Sequence, residues 1–193
     1  MSEPAPGSET GHRPIPPGGC GPRVRTDIVD VYIFRRAAEP GLARDAAPIE
    51  FLQLLRATDP LAQTWQPIMG HVEPADPPET AVQTALRELR EEVGLVIPSP
   101  HCLGLWALEQ VHPFYIAAID TIVMSPRFAC EVTADWLPTL NDEHLEWRWV
   151  REAIAFMWPG QRRCLEEIIE HIAPANSLSS ERLRVMRPGP SCH

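Results

Sequence analysis

The chain has 193 residues, enough for one domain with a substantial core, and 44% of them are hydrophobic, as expected of a globular protein. Its net charge of −9 argues against coating a nucleic-acid backbone, although a bound divalent cation can reverse the sign locally and admit a small phosphorylated ligand. The five cysteines are odd in number and form no CxxC pair, which disfavours a disulfide framework or a zinc knuckle and fits a reducing cytoplasm.

Residues 1–23 are rich in Pro and Gly and are expected to form a flexible tail, with neither the basic start nor the apolar centre of a signal peptide. The folded domain is expected over residues 24–174. DIVDVYIF (27–34) and IEFLQLLRA (49–57) read as strands, the second buried on both faces, joined by a long loop over 35–48. TWQPIMG can form a short strand. Downstream, CLGLWALEQV, PFYIAAIDTIVM and LEWRWV (145–150) read as strands, and VTADWLPTLNDEH as a loop. REAIAFMW begins a helix that Pro159 stops or restarts. In GQRRCLEEIIEHIA the apolar residues Leu165, Ile168, Ile169 and Ile172 mark one core face of a helix. Residues 175–193 read as a poorly ordered tail. No apolar run is long enough to span a bilayer. Strands and helices interleave, which predicts an α/β or α+β fold with a mixed sheet.

The chemistry concentrates in ETAVQTALRELREEVGL (79–95). Asp76 as N-cap, Pro77 at the first helical position and Glu79 three residues after the cap predict a helix start, and Gly94 predicts its end. At 100° per residue, Val82, Leu86, Leu89 and Val93 share a core-facing stripe. Glu88 and Glu92 lie one turn apart on another stripe, flanked by Glu91. Like charges at i,i+4 cost about 0.2–0.5 kcal/mol per pair, which Arg87 can relieve by reaching Glu91. Spacing alone leaves two readings open: a solvated helix face, or a carboxylate cradle for Mg²⁺ or Mn²⁺, hard cations that take oxygen ligands.

With its preceding loop, GHVEPADPPETAVQTALRELREEVGL resembles the box of the Nudix hydrolase family. Glu79, seven residues, then Arg87-Glu88-Leu89-Arg90-Glu91-Glu92-Val93-Gly94-Leu95 match its second half at every fixed position. The first half departs: eight residues, where the family has five, separate Gly70 from Glu79, the excess falling in a Pro-rich turn. NDEHLEWRWV and the last amphipathic helix resemble a bacterial subgroup, the dihydroneopterin triphosphate and nucleoside triphosphate pyrophosphatases.

The resemblance implies a Nudix-type mixed β-sheet between helices and metal-assisted hydrolysis of a phosphoanhydride. It implies that Glu88, Glu91 and Glu92 hold Mg²⁺, that Gly70 lends its carbonyl, that Arg87 positions a neighbouring carboxylate, and that Glu143 brings a further acid from outside the box. Glu91 or Glu143 is then the base. Arg56 and Trp65 are candidate substrate contacts. Trp106, Phe114 and Tyr115 could stack on a base or pterin ring, and His71, His112 and His144 could serve acid-base chemistry; for each, ordinary structural packing is the alternative.

The expected partner is a small nucleotide or pterin polyphosphate, met by a monomer or homodimer. The leading activity is cleavage of a nucleoside-triphosphate-like substrate to monophosphate and pyrophosphate. The alternatives are a nucleotide-sugar or dinucleoside polyphosphate hydrolase, and a nucleotide-sensing module without turnover.

Overall fold

The structure is a computed structural model, and it describes residues 21–59, 61–74, 76–151, 158–175 and 177–186. Most of the expected N-terminal tail, the first turns of the helix expected at REAIAFMW and the last seven residues lie outside the described residues.

Eight strands form a mixed sheet. Its path places β10 (His144–Val150) beside β3 (Ile49–Arg56), then β2 (Ile28–Arg36), β9 (Arg127–Val132), β6 (Cys102–Ala107) and β11 (Arg184–Met186). β2 and β9 run parallel, and the other neighbours on this path are antiparallel. β2 pairs with β3 only from Phe34 to Arg36; toward the start of β2 the two strands diverge. β4 (Trp65–Gln66) pairs with β3, and β5 (Ile68–His71) pairs with the first half of β2. These two short strands fill the wedge and place Gly70 beneath α1 (Ala81–Val93). A smaller sheet joins β1 (Arg23–Arg25), β8 (Thr121–Val123) and β7 (Phe114–Ile116).

The pleat of β2 sorts two cores. Val29, Val31 and Ile33 pack with Leu52, Leu54 and Ile68 under Leu89 and Val93 of α1. Tyr32 and Phe34 face the other way, with Phe51 and Trp106, onto Cys164, Leu165 and Ile168. Full burial of each large apolar side chain contributes about 1.5–3 kcal/mol. The second layer is α2 (Pro159–Glu167), continued by a π-helical segment, Ile168–Ile172. Pro159 restarts the chain as the first helical residue. The wider π turn carries Ile169 off the core face that a 3.6-residue period assigns to it, and it is 45% exposed.

Two expectations are corrected, one strand appears where none was expected, and the packing reading of Trp106 holds over the stacking one. The acidic helix starts at Ala81, not Pro77: Thr80 is the N-cap, accepting from the Gln83 N–H, and Gln83 completes the capping box that Asp76 and Glu79 were expected to make. RFACEV, which carried no strand expectation, forms the fully buried β9; its charges are matched by Asp30 for Arg127 and by Arg36 and Arg44 for Glu131. Within the stretch expected to be a poorly ordered tail, α3 (Leu178–Leu183) and β11 dock on β6, where the Trp106 indole N–H donates to the Ser180 carbonyl and Arg184 stacks over the same ring. Trp106 is therefore a core residue, 2% exposed, and offers no face to a substrate. Among the described residues no helix is long and apolar enough to cross a membrane.

Candidate active site

The acids of α1 divide into two environments. Gly94, in the left-handed region at φ 71°, ends the helix, and the Leu89 and Val93 stripe presses it onto β5. That docking buries Glu88 and Glu92, so the solvated-face reading fails for both. Glu91 stays half in solvent, bridged to Arg90 at 2.9 Å and to Arg87 at 3.0 Å. Against a desolvation penalty, these guanidiniums hold its carboxyl below the usual range.

Arg87 ties the cluster together. Its guanidinium donates to Glu79 Oε1 at 3.1 Å and Oε2 at 3.2 Å, to Glu88 Oε1 at 2.7 Å, to Glu91 Oε2 at 3.0 Å and to the His71 carbonyl at 2.7 Å. Hydrogen bonds to Glu79 lead the causes that raise its pKa above the ordinary value. Glu79 also accepts from the Thr84 hydroxyl at 2.9 Å and the Glu73 N–H at 3.2 Å, and the Arg87 bond holds it below the carboxylate range. The longer Gly70–Glu79 loop thus still delivers Glu79 to Arg87.

Glu88 lies against the backbone of Gly70, where an added Cβ would fall 1.9 Å from its Oε1. Burial, then the neighbouring Glu92, raises Glu88 to about 7. Burial, then Glu143, raises Glu92 to about 8, although a backbone hydrogen bond from Met69 opposes the shift. The Glu92 carboxyl meets His144 Nε2 at 2.7 Å, and burial lowers the imidazole to about 4. Both groups are therefore driven toward their neutral forms, sharing one proton across the contact.

From β3 and the loop before β10, Arg56 and Glu143 face each other at 4.0 Å. The Ala57 N–H donates to the Glu143 carbonyl, which docks that loop on the end of β3. Gly70, Glu88, Glu92, Glu143 and Arg56 are thus gathered at one place, with Glu91 at its rim. Trp65 pairs with Leu55, next to Arg56, and one face of its ring is covered by the Arg148 guanidinium at 3.9 Å. Phe114 stacks on Trp158, while Tyr115 is exposed and bonds Asp120. His144 joins the site. His112 lies beside Arg127, and His71 contributes its carbonyl.

Among the described residues, no three His, Cys, Asp or Glu side chains are grouped as a ready-made metal cage. Arg87 occupies one carboxylate oxygen each of Glu88 and Glu91. What the site does offer is an all-oxygen donor set beside the backbone of Gly70: two buried carboxylates, Glu88 raised by burial and by Glu92, and Glu92 raised by burial and by Glu143.

A model of the NUDIX domain matches residues 16–168 of the chain. The chain belongs to the Nudix family. This Nudix hydrolase, a phosphoanhydride hydrolase by family, is similar to the asymmetrical bis(5'-nucleosyl)-tetraphosphatase of Mus musculus, at 34% identity over 130 residues, 67% of the chain and 76% of the mouse protein. The protein of the same description from Sus scrofa is 48% identical over 130 residues, with the same coverage. In fold it resembles a C. elegans Ap4A hydrolase solved as a binary complex, with a TM-score of 0.57 at 20% identity, covering 75% of the chain and 96% of the worm protein. These relatives are not the dihydroneopterin triphosphate and nucleoside triphosphate pyrophosphatases to which the C-terminal motifs pointed.

Proposed function

We propose that this Nudix hydrolase cleaves dinucleoside polyphosphates, cutting a bis(5'-nucleosyl) tetraphosphate asymmetrically into a nucleoside triphosphate and a monophosphate. The likeness of 34–48% to the mammalian tetraphosphatases supports the substrate class over the triphosphate and pterin substrates first considered. The chemistry rests on one observation: Glu88 and Glu92 are buried together, one helical turn apart, with Glu143 close by.

Glu88, Glu92 and the Gly70 carbonyl would be the donors to Mg²⁺, with Mn²⁺ a fitting substitute. Oxygen donors suit such hard cations, and proton loss from Glu88 and Glu92 would accompany binding. When bound, the cation would neutralise phosphate charge and acidify attached water. Arg87, anchored on Glu79, keeps Glu88 oriented. Of the two candidate bases, Glu143 is preferred, because two guanidiniums already hold Glu91 as a poor proton acceptor. Glu143 takes the proton of the attacking water, and Arg56 beside it holds a phosphate oxygen.

The test is product analysis with Mg²⁺ and a panel of bis(5'-adenosyl) tetraphosphate, nucleoside triphosphates, dihydroneopterin triphosphate and ADP-ribose. Triphosphate plus monophosphate from the dinucleotide, abolished by chelator, is the expected result. Preferential release of pyrophosphate from a triphosphate would overturn this reading.

A further inference from the structure

The loop that carries Glu143 is clipped onto the last turn of α1. The Thr139 N–H donates to the Val93 carbonyl at 3.0 Å and the Asn141 N–H to the Glu92 carbonyl at 3.4 Å, so carbonyls that a helix end leaves without partners hold the loop. Asn141 Oδ1 accepts from the Glu143 N–H at 3.1 Å, and the Ala57 N–H donates to the Glu143 carbonyl at 2.8 Å. His144, the first residue of β10, adds the side-chain contact. Its Nε2 lies 2.7 Å from Glu92 Oε2, with the imidazole 0% and the Glu92 side chain 2% exposed. His144 Nδ1 has no hydrogen-bond partner. The ring hydrogen therefore belongs on Nε2, where a carboxylate accepts it, and not on Nδ1, where nothing does.

We infer that His144 is a positioning residue: its Nε2–H holds one carboxylate oxygen of Glu92, fixes the plane in which that group donates to a divalent cation, and ties it to the loop bearing Glu143. The inference rests on the metal role proposed above for Glu92. A ring with no exposed surface has none to offer a substrate, so His144 acts only through Glu92 and through its chain neighbour Glu143. It lies 52 residues from Glu92 and outside the acidic helix, yet it orients the metal donor and the base together. Losing the outer hydrogen-bond partner of a metal ligand lowers metal affinity or activity by about 10–100-fold.

The test compares H144Q, H144N and H144F with the wild-type chain. It reads Mn²⁺ affinity by calorimetry, Tm in chelator, and kcat and KM for bis(5'-adenosyl) tetraphosphate at saturating Mg²⁺. Glutamine carries an amide N–H to the place of Nε2. Asparagine, one methylene shorter, keeps a polar group in the same space and falls short of Glu92. H144N and H144F are expected to bind Mn²⁺ about 10–100-fold more weakly and to lose kcat with KM unchanged, while H144Q recovers both affinity and turnover. Wild-type Mn²⁺ affinity in H144N or H144F, whatever the Tm, overturns the inference. So does an equal loss of affinity in all three variants that follows their loss of Tm, which is the signature of packing alone. Cleavage of the dinucleotide at a rate that H144N leaves unchanged overturns it and leaves the proposed function standing. Mn²⁺ affinity lost in H144N and recovered in H144Q, with no dinucleotide cleaved by the wild-type chain, supports it and overturns the proposed substrate.

Discussion

His144 Nε2 and Glu92 Oε2 meet at 2.7 Å in the interior, joining α1 to the first residue of β10 across 52 positions of sequence. The contact fixes the carboxyl that the proposed chemistry depends on most. It also makes Glu92 a test of whether the α1 acids act in catalysis or only in packing. E92Q retains a hydrogen-bonding partner for His144 and removes the ionisable oxygen. It should fold with a near-normal circular dichroism spectrum and lose about 100-fold or more in kcat. Near-normal turnover at saturating Mg²⁺ would refute the assignment of Glu92 as a ligand.

A pH dependence follows from the same cluster. Glu88 at about 7 and Glu92 at about 8 lie above their ordinary value of 4.5, so folding favours their protonated forms. The stability they contribute is complete below pH 4.5 and is lost as pH rises through 7 and 8. His144, lowered to about 4, acts only below pH 6.5, where acid would force a charge on it. Between pH 6.5 and 8.5 the metal-free protein should therefore lose Tm, on the order of 5 °C. Added Mg²⁺ should flatten that slope, as should E88Q combined with E92Q. A rising Tm across this window in chelator would contradict the burial argument.

Arg87 should tolerate no conservative replacement. Its planar fork serves three carboxylates and a carbonyl at once, a pattern an ammonium cannot reproduce. R87K is expected to cost about 1–3 kcal/mol in chemical denaturation and to lower kcat at least tenfold. An R87K chain with unchanged denaturation midpoint and turnover would show that the network is incidental.

Gly70 is constrained by Glu88, not by its own backbone. In G70A the new methyl and the Glu88 carboxylate cannot share the space, and the side chain is the part able to move. The variant should stay folded, with Glu88 displaced and kcat down by about 100-fold. Full activity in G70A would remove Gly70 and Glu88 from the proposed metal site.

Local geometry explains what could be read in advance. The i,i+4 spacing of Glu88 and Glu92, the Leu89 and Val93 stripe and the Gly94 stop are properties of one helix, and each was legible there. The helix start was misplaced because Asp76-Pro77 and Thr80-Gln83 both carry capping signals, and only docking chooses between them. β9 was missed because Arg127 and Glu131 interrupt its apolar run; their partners Asp30, Arg36 and Arg44 come from elsewhere in the chain. The burial of Glu88 and Glu92 depends on β5 passing beneath them, which helical periodicity cannot register.

The docking of β11 along β6 gives α3 and β11 a protective role: they cover a sheet edge. A chain stopped at Pro174 would leave the outer rim of β6 with unpaired amides and carbonyls and would uncover the Trp106 ring. Such a rim is a template for another copy to add a strand, so removing residues 175–193 would open β6 to strand addition between copies.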